Sequence, residues 1–142
     1  MSDSQSGIDR SKDPVGYARE VVGRDPFATF LGMEVEEVLD SYARVSLTVK
    51  RDYCNADIRT HGGVLFALAD QAFAVACNSR GYQAFGLEVK IDYVKATRPG
   101  DRLTAEAKPV YIGKRVSLWN MEIRNGSGDI VSAAQGLAYH FV

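Results

Sequence analysis

Residues 61–78 read HGGVLFALADQAFAVACN: a histidine and two glycines, then a nearly unbroken apolar run with one carboxylate, Asp70, near its middle. A helix apolar on every side is a buried helix. A buried helix ordinarily excludes an unpaired carboxylate, because desolvating the charge is costly. The segment therefore predicts one long buried helix over Gly63–Ser79, closing near Gly81, that carries a group its setting disfavours. Its start consists of residues that leave backbone open to a ligand.

The flanking segments read as strands. Upstream, Met33–Leu39 and Ala43–Lys50 have period-two character and are separated by Asp40-Ser41. In the second, Ala43, Val45, Leu47 and Val49 share one face, and Tyr42, Arg44, Ser46 and Thr48 the other. Residues 51–60 (RDYCNADIRT) form a polar loop into the helix. Downstream, Gln83–Lys95 sets Leu87, Val89, Ile91 and Tyr93 against Glu88, Lys90 and Asp92. A turn at Arg98-Pro99-Gly100-Asp101 leads to strands over Leu103–Ile112, Arg115–Arg124 and Asp129–Phe141. Their joints, Gly113-Lys114 and Asn125-Gly126-Ser127-Gly128, are hairpin-like.

Near the N-terminus, Asp13-Pro14 and Asp25-Pro26 each set an N-cap aspartate before a proline at the first helical position. They predict short helices, Pro14–Val22 stopped by Gly23 and a second from Pro26 ended by Gly32. Phe27, Phe30 and Leu31 are expected to form an apolar flap packed on a larger body. Residues 1–12 read as a disordered tail, leaving 13–142 as one domain. Two strands, one buried helix and a four-stranded antiparallel meander specify an α+β domain in which a curled sheet wraps the helix. The side of the helix that the sheet cannot reach needs another cover, and a second copy of the chain is the simplest one.

Composition narrows the function. The chain of 142 residues is long enough for one domain with a real core. A formal net charge of −1 argues against a nucleic-acid or membrane-surface partner. Cys54 and Cys77 form no CxxC or Cys/His cluster, so neither a disulfide framework nor a zinc site is expected. The apolar run is too short to span a bilayer and no leader pattern is visible, which makes a cytoplasmic location the expectation. There is no GxSxG elbow, no P-loop and no GxGxxG, and the histidines are His61 and His140 alone. What remains is Asn55, His61, Gly62-Gly63 and Asp70.

Free N–H groups at a helix start favour an oxygen carrying negative charge: a phosphate, a carboxylate, or a carbonyl becoming an oxyanion. Gly62-Gly63 could supply that donor, or could simply permit a tight turn. Asp70 could be a nucleophile or a general base, or a structural carboxylate hydrogen-bonded nearby. Taken singly, His61 and Asn55 fit a structural hydrogen-bonder and a turn residue. Gly62 and Asp70 are eight residues apart, roughly 12 Å of helical rise, so they cannot serve one carbonyl from the same helix. If both are catalytic, they come from different chains, and two antiparallel helices would give two equivalent sites per dimer.

The run H-G-G-x-x-F-x-L-A-D-x-A-F-A-x-A-C-N-S, complete from His61 to Ser79, resembles the hotdog-fold acyl-CoA thioesterases of the phenylacetic-acid-degradation type. The likeness extends through Asp25-Pro26-Phe27, Leu31-Gly32-Met33, Asn55, Ile91-Asp92-Tyr93, Pro99-Gly100-Asp101 and Asn125-Gly126, or roughly residues 25–140. It implies a hotdog fold and hydrolysis of an acyl-CoA, aryl- or arylacetyl-CoA first, to free acid and CoA. The active unit would be a homodimer, commonly doubled to a homotetramer, with no metal or organic cofactor. Asp70 would be the catalytic carboxylate and the Gly62 N–H of a partner chain the oxyanion donor. Asn55 and His61 would orient water or carbonyl.

Some relatives carry a Ser or Thr near the position of Gly86. Here Ala84, Phe85, Gly86 and Leu87 offer no hydroxyl, so Gln83 or Asn78 substitutes, or Asp70 holds the water alone. For substrate and CoA the candidates are Gly63 and, from the basic set Lys90, Lys95, Arg98, Arg102, Lys108, Lys114 and Arg115, the turn residues Arg98, Lys114 and Arg115. Phe66, Phe73, Tyr82, Tyr93 and Trp119 could line an aromatic pocket or fill the core. The competing readings are a hotdog hydratase or dehydratase pairing His61 with a carboxylate, and a non-catalytic acyl-CoA-binding module.

Overall fold

The computed structural model describes residues 7–142. Both Asp-Pro signals open helices. Asp13 accepts the Gly16 N–H at 3.0 Å and starts α1 (Pro14–Tyr17), which continues as a π-helical turn over Ala18–Val22. Asp25 accepts the Ala28 N–H at 3.0 Å and starts α2 (Pro26–Phe30). Strands β1 (Glu34–Leu39) and β2 (Tyr42–Thr48) precede the long helix α3 (Gly62–Cys77), which tightens into a 3₁₀ turn over Asn78–Arg80. Strands β3 (Gln83–Tyr93), β4 (Arg102–Ile112), β5 (Val116–Arg124) and β6 (Ile130–Phe141) complete the chain.

The strands form one antiparallel sheet in the order β1-β2-β4-β5-β6-β3. The sheet wraps α3. Ala43, Val45 and Leu47 of β2, Leu103, Ala105 and Ala107 of β4, and Met121 and Ile123 of β5 are buried with Leu68, Ala72, Phe73 and Val75 of the helix. Alanines on β2 and β4 let the helix lie close to the sheet, while larger side chains fill the flanks.

The expected four-stranded meander is three strands, β4-β5-β6. β3 crosses to the far edge and pairs with β6, so β4 lies beside β2. The alternation expected along β3 also breaks. A bulge between Gly86 and Glu88 shifts the register, and Phe85, Leu87 and Tyr93 are all exposed. β3 is thus a long edge strand with an apolar surface, the kind of edge that recruits another chain.

Of the expected flap, Leu31 is buried, but Phe27 and Phe30 face outward. The tail expected over 1–12 lies outside the described residues up to Ser6. Residues 9–12 form a turn, in which the Lys12 N–H donates to the Asp9 carbonyl. Arg10 stacks 4.4 Å over the Tyr17 ring and donates to its hydroxyl at 2.8 Å.

Candidate active site

The helix start is built by His61. Its backbone is extended, and its Nδ1 accepts the Gly63 N–H at 2.8 Å. An accepting Nδ1 is unprotonated, so His61 is the neutral Nε2–H tautomer with its donor facing solvent. The Gly63 N–H, a candidate substrate donor, is therefore already taken. The Gly62 N–H has no acceptor among the described residues, and it sits at the positive end of α3. It opens on a cleft of ≈ 360 Å³ whose walls include Asn55, Arg59, Tyr93, Lys95 and Thr97. A Cβ at Gly62 would stand 3.2–3.4 Å from the Tyr93 ring and hydroxyl, so a larger residue would crowd the cleft.

Asn55 shapes the loop before the helix. Its Oδ1 accepts the N–H groups of Asp57 at 2.9 Å and Arg59 at 3.1 Å. The same pattern recurs at Asn125, which accepts from Ser127 and Asp129 at 3.0 Å each. The two loops even share a left-handed fourth residue, Ile58 at φ 57° and Gly128 at φ 84°. Asn55 thus serves as a turn residue through its oxygen, and it reaches the Gly62 cleft as well. Loop and cleft floor are pinned by buried Thr60 and Thr97, whose hydroxyls lie 2.6 Å apart.

Asp70 lies on the one side of α3 that the sheet leaves open. Leu65, Leu68, Ala69, Ala72, Phe73, Val75 and Ala76 are buried. Gly63 and Phe66 are exposed, and Asp70 and Ala74 half-buried, at the spacing of a single helical face. Burial pushes the Asp70 pKa above its usual value, and the nearby Asp25 carboxylate adds to the shift. The neighbouring Cys77 thiol, buried and close to Asp70, is pushed up to about 12 and stays a neutral core group. Gln71, buried on the next position, donates to the Val22 carbonyl at 2.8 Å and ties α3 to the π-helical turn.

The position without a hydroxyl has a steric cause. Cβ atoms at Gly86 and Gly136 would stand 3.1 and 2.9 Å from the Phe73 ring, so the pair of glycines makes room for that ring against β3 and β6. Asn78 is no substitute for the hydroxyl. Its amide donates to the carbonyls of Ala74 at 2.9 Å and Ala84 at 3.2 Å and accepts the Ala84 N–H at 3.0 Å. Gln83 is exposed, and its amide has no side-chain hydrogen bond among the described residues.

The basic residues fall differently from expectation. Arg98, Lys114 and Arg115 are exposed at turns and none lines the Gly62 cleft. Lys114 and Arg115 sit at the opposite end of the nine-residue β5 from Asp129, roughly 30 Å away. The cations at the cleft are Arg59, unmarked within its polar loop, and Lys95, paired with Asp129 at 2.7 Å. Of the aromatic candidates, Phe73 and Trp119 are core, Tyr93 is at the cleft, Phe66 is on the open face of α3 and Tyr82 is exposed. His140 is buried, with its Nε2 2.6 Å from the Ser117 hydroxyl, which also accepts the Trp119 indole N–H at 2.6 Å. Burial, and then Arg80, lowers its pKa. Ser117 is fully enclosed, so this Ser/His pair stiffens the sheet and offers no nucleophile to a substrate. Among the described residues no cluster of three metal-ligating side chains occurs, and no helix is long and apolar enough to cross a membrane.

Comparisons with known proteins agree with this architecture. A family model for the thioesterase superfamily matches residues 59–132. The chain is 39% identical to an Archaeoglobus fulgidus protein over 81% of its own length and 75% of that protein's. It is 34% identical to the Escherichia coli acyl-coenzyme A thioesterase PaaI, covering 86% of this chain and 87% of the relative. The solved E. coli PaaI structure superposes with a TM-score of 0.88 over 93% of this chain and 96% of that one, at 32% identity. A hypothetical thioesterase of Streptococcus pneumoniae, solved with coenzyme A, superposes with a TM-score of 0.74 at 28% identity, over 77% and 85% of the two chains.

Proposed function

The chain belongs to the thioesterase superfamily, a hotdog-fold thioester hydrolase, and on that premise we propose that it hydrolyses an aryl- or arylacetyl-CoA to the free acid and CoA. The observation that carries the reading is the pairing on α3 of an unengaged N–H at Gly62 with a half-buried carboxylate at Asp70. The thioester carbonyl accepts from Gly62 of one protomer. Asp70 of the other protomer attacks the carbonyl carbon, or takes a proton from the water that does. Charge developing on the oxygen falls at the positive end of a helix, where it is stabilised without reorganisation. A raised carboxylate pKa brings Asp70 closer to the working range of a general base.

The second protomer covers the open face of α3 and the apolar edge of β3, and two such dimers assemble as a tetramer. The CoA moiety leaves by the Gly62 cleft, where Arg59 and Lys95 face its phosphates. Asn55 and His61 stand beside the carbonyl. A hydratase built on His61 has less support, because Nδ1 already holds the helix start and Nε2 carries a proton.

The test is thiol release from phenylacetyl-CoA by the wild type, Asp70→Asn and Asp70→Ala. Turnover is expected to fall about 10²–10⁴-fold in both variants with the fold retained. A folded Asp70→Ala protein that hydrolyses at the wild-type rate refutes the assignment.

A further inference from the structure

Tyr93 ends β3. Val89 and Ile91 precede it on the same face of the strand and pack against the core. Tyr93 continues that row to the start of α3. Its place is fixed from both sides. It pairs with Ser132 of β6, and beyond it the Val94 and Lys95 N–H groups both donate to the Val131 carbonyl, at 2.9 and 3.2 Å.

The ring presents its hydroxyl end to the helix start. A Cβ built on Gly62 would stand 3.3 Å from the Tyr93 Cε2, 3.2 Å from Cζ and 3.4 Å from the hydroxyl oxygen. Such a Cβ lies about 2.5 Å from its own nitrogen, so the hydroxyl is within roughly 6 Å of the Gly62 nitrogen. Two donors that share one oxygen at about 2.7–3.1 Å each stand no farther apart than that. Tyr93 lines the same cleft as Gly62, and neither its hydroxyl nor the Gly62 N–H has a hydrogen-bond partner among the described residues. The other hydroxyls of this cleft, on Thr60 and Thr97, are bonded to each other. The helix start thus carries two unengaged donors, one from the backbone and one from a side chain, around a point open to a ligand.

We propose that the Tyr93 hydroxyl is a second donor to the thioester carbonyl oxygen. The oxyanion is then held by two groups of one protomer, the Gly62 N–H and the Tyr93 hydroxyl, and faces Asp70 of the other. The inference rests on the proposed thioesterase reading and deepens it. A carbonyl oxygen accepts two hydrogen bonds, one on each lone pair. No proton changes hands: the phenol keeps its proton, and its bond to the oxygen strengthens as negative charge develops there. Exclusion of water by the second protomer strengthens it further. A phenylalanine would fill the same space, so the hydroxyl alone carries this role.

Tyr93→Phe is therefore the test. It keeps the ring, and because the hydroxyl has no protein partner it strands no buried group. On phenylacetyl-CoA and hexanoyl-CoA, kcat should fall about 10²–10³-fold with KM unchanged, because the bond is strongest in the transition state. The second measurement is the infrared carbonyl stretch of phenylacetyl-CoA, isotopically labelled at the carbonyl carbon and bound to Asp70→Asn, which leaves the thioester intact. Each donor lowers that frequency, so adding Tyr93→Phe should raise it, as should adding Gly62→Pro. A wild-type kcat in Tyr93→Phe, or a frequency that Tyr93→Phe does not move, overturns the inference and leaves the thioesterase reading intact. Absence of thiol release from both thioesters in the wild type overturns that reading instead. The frequency shift then still decides whether Tyr93 contacts the carbonyl, and a thioester that does not bind at all overturns both.

Discussion

If each active site takes Gly62 from one protomer and Asp70 from the other, two inactive variants must restore activity when mixed. The suitable pair is Gly62→Pro and Asp70→Asn. Proline removes the N–H and keeps the helix start, because Gly62 is the first helical residue, where proline is favoured; its ring also presses on Tyr93, which a Cβ at this position approaches to 3.2–3.4 Å, so Gly62→Ala, which keeps the N–H and adds the same Cβ, is the control. His61 at φ −62°, ψ 136° already has the backbone that precedes a proline. Loss of one oxyanion donor should leave roughly 0.1–1% of kcat, and Asp70→Asn should be comparably inactive. After co-refolding at equal amounts, half of the dimers are mixed by statistics. Each mixed dimer holds one site with both defects and one with neither. Activity per chain is therefore about one quarter of wild type, some 25-fold or more above either variant alone. The assay is thiol release from a mixture unfolded and refolded together, against the same proteins refolded apart and then combined. Were both groups contributed by one protomer, every site would carry one defect and the mixture would stay near 1%. That result, with mixed dimers demonstrated by differently tagged chains, refutes the shared site.

The raised pKa of Asp70 sets a pH dependence. The acid limb of the kcat/KM profile should lie above the ordinary carboxylate value, because burial and Asp25 favour the protonated form; Asp25→Asn should move that limb down. A carboxyl whose folded pKa exceeds its unfolded one costs no stability below the unfolded pKa and its full cost above the folded one. Asp70→Asn should therefore melt higher than the wild type at neutral pH, and the gap should close as pH falls below the unfolded carboxylate value, read by calorimetry. Gly86→Ser places a Cβ 3.1 Å from Phe73 and should cost about 1–3 kcal/mol in denaturant unfolding, partly recovered by adding Phe73→Leu. Ile58→Gly should stabilise by about 1 kcal/mol, because Ile58 holds the left-handed position that glycine fills in the matching loop at Gly128; an unchanged or lower unfolding midpoint counts against strain there.

Legibility followed the range of the interactions involved. The two Asp-Pro helix starts were readable because the cap, the proline and the first N–H groups lie within three residues of one another. The face assignment of β2 held for the same reason: Ala43, Val45, Leu47 and Val49 are all buried. The position of β3 was not readable. Its partner β6 lies about 40–60 residues on (Gln83 pairs with Phe141 and Tyr93 with Ser132), and the bulge follows Gly86, where the ring of Phe73 from a third element leaves no room for a Cβ. In the site, Gly62 and Asp70 were visible as an exposed backbone and a misplaced charge. That His61 would consume the Gly63 N–H, and that Arg59 and not Arg98 would reach the cleft, depended on how the loop at Asn55 folds.

The placement of Asp70 also explains why a carboxylate is tolerated on an otherwise apolar helix. Within one protomer it lies on the open face, so a single folded chain bears only part of the desolvation cost. On the proposed reading, the remainder is imposed when a second copy covers that face, and the same step brings Gly62 of the partner to the carbonyl site. Assembly thus raises the basicity of the carboxylate and supplies the oxyanion donor together. An isolated protomer would hold each half of the machinery in a form that cannot act. A monomeric variant obtained by charging the β3 edge, Leu87→Lys for example, should then lose thiol release while keeping its fold, although Leu87 does not line the Gly62 cleft.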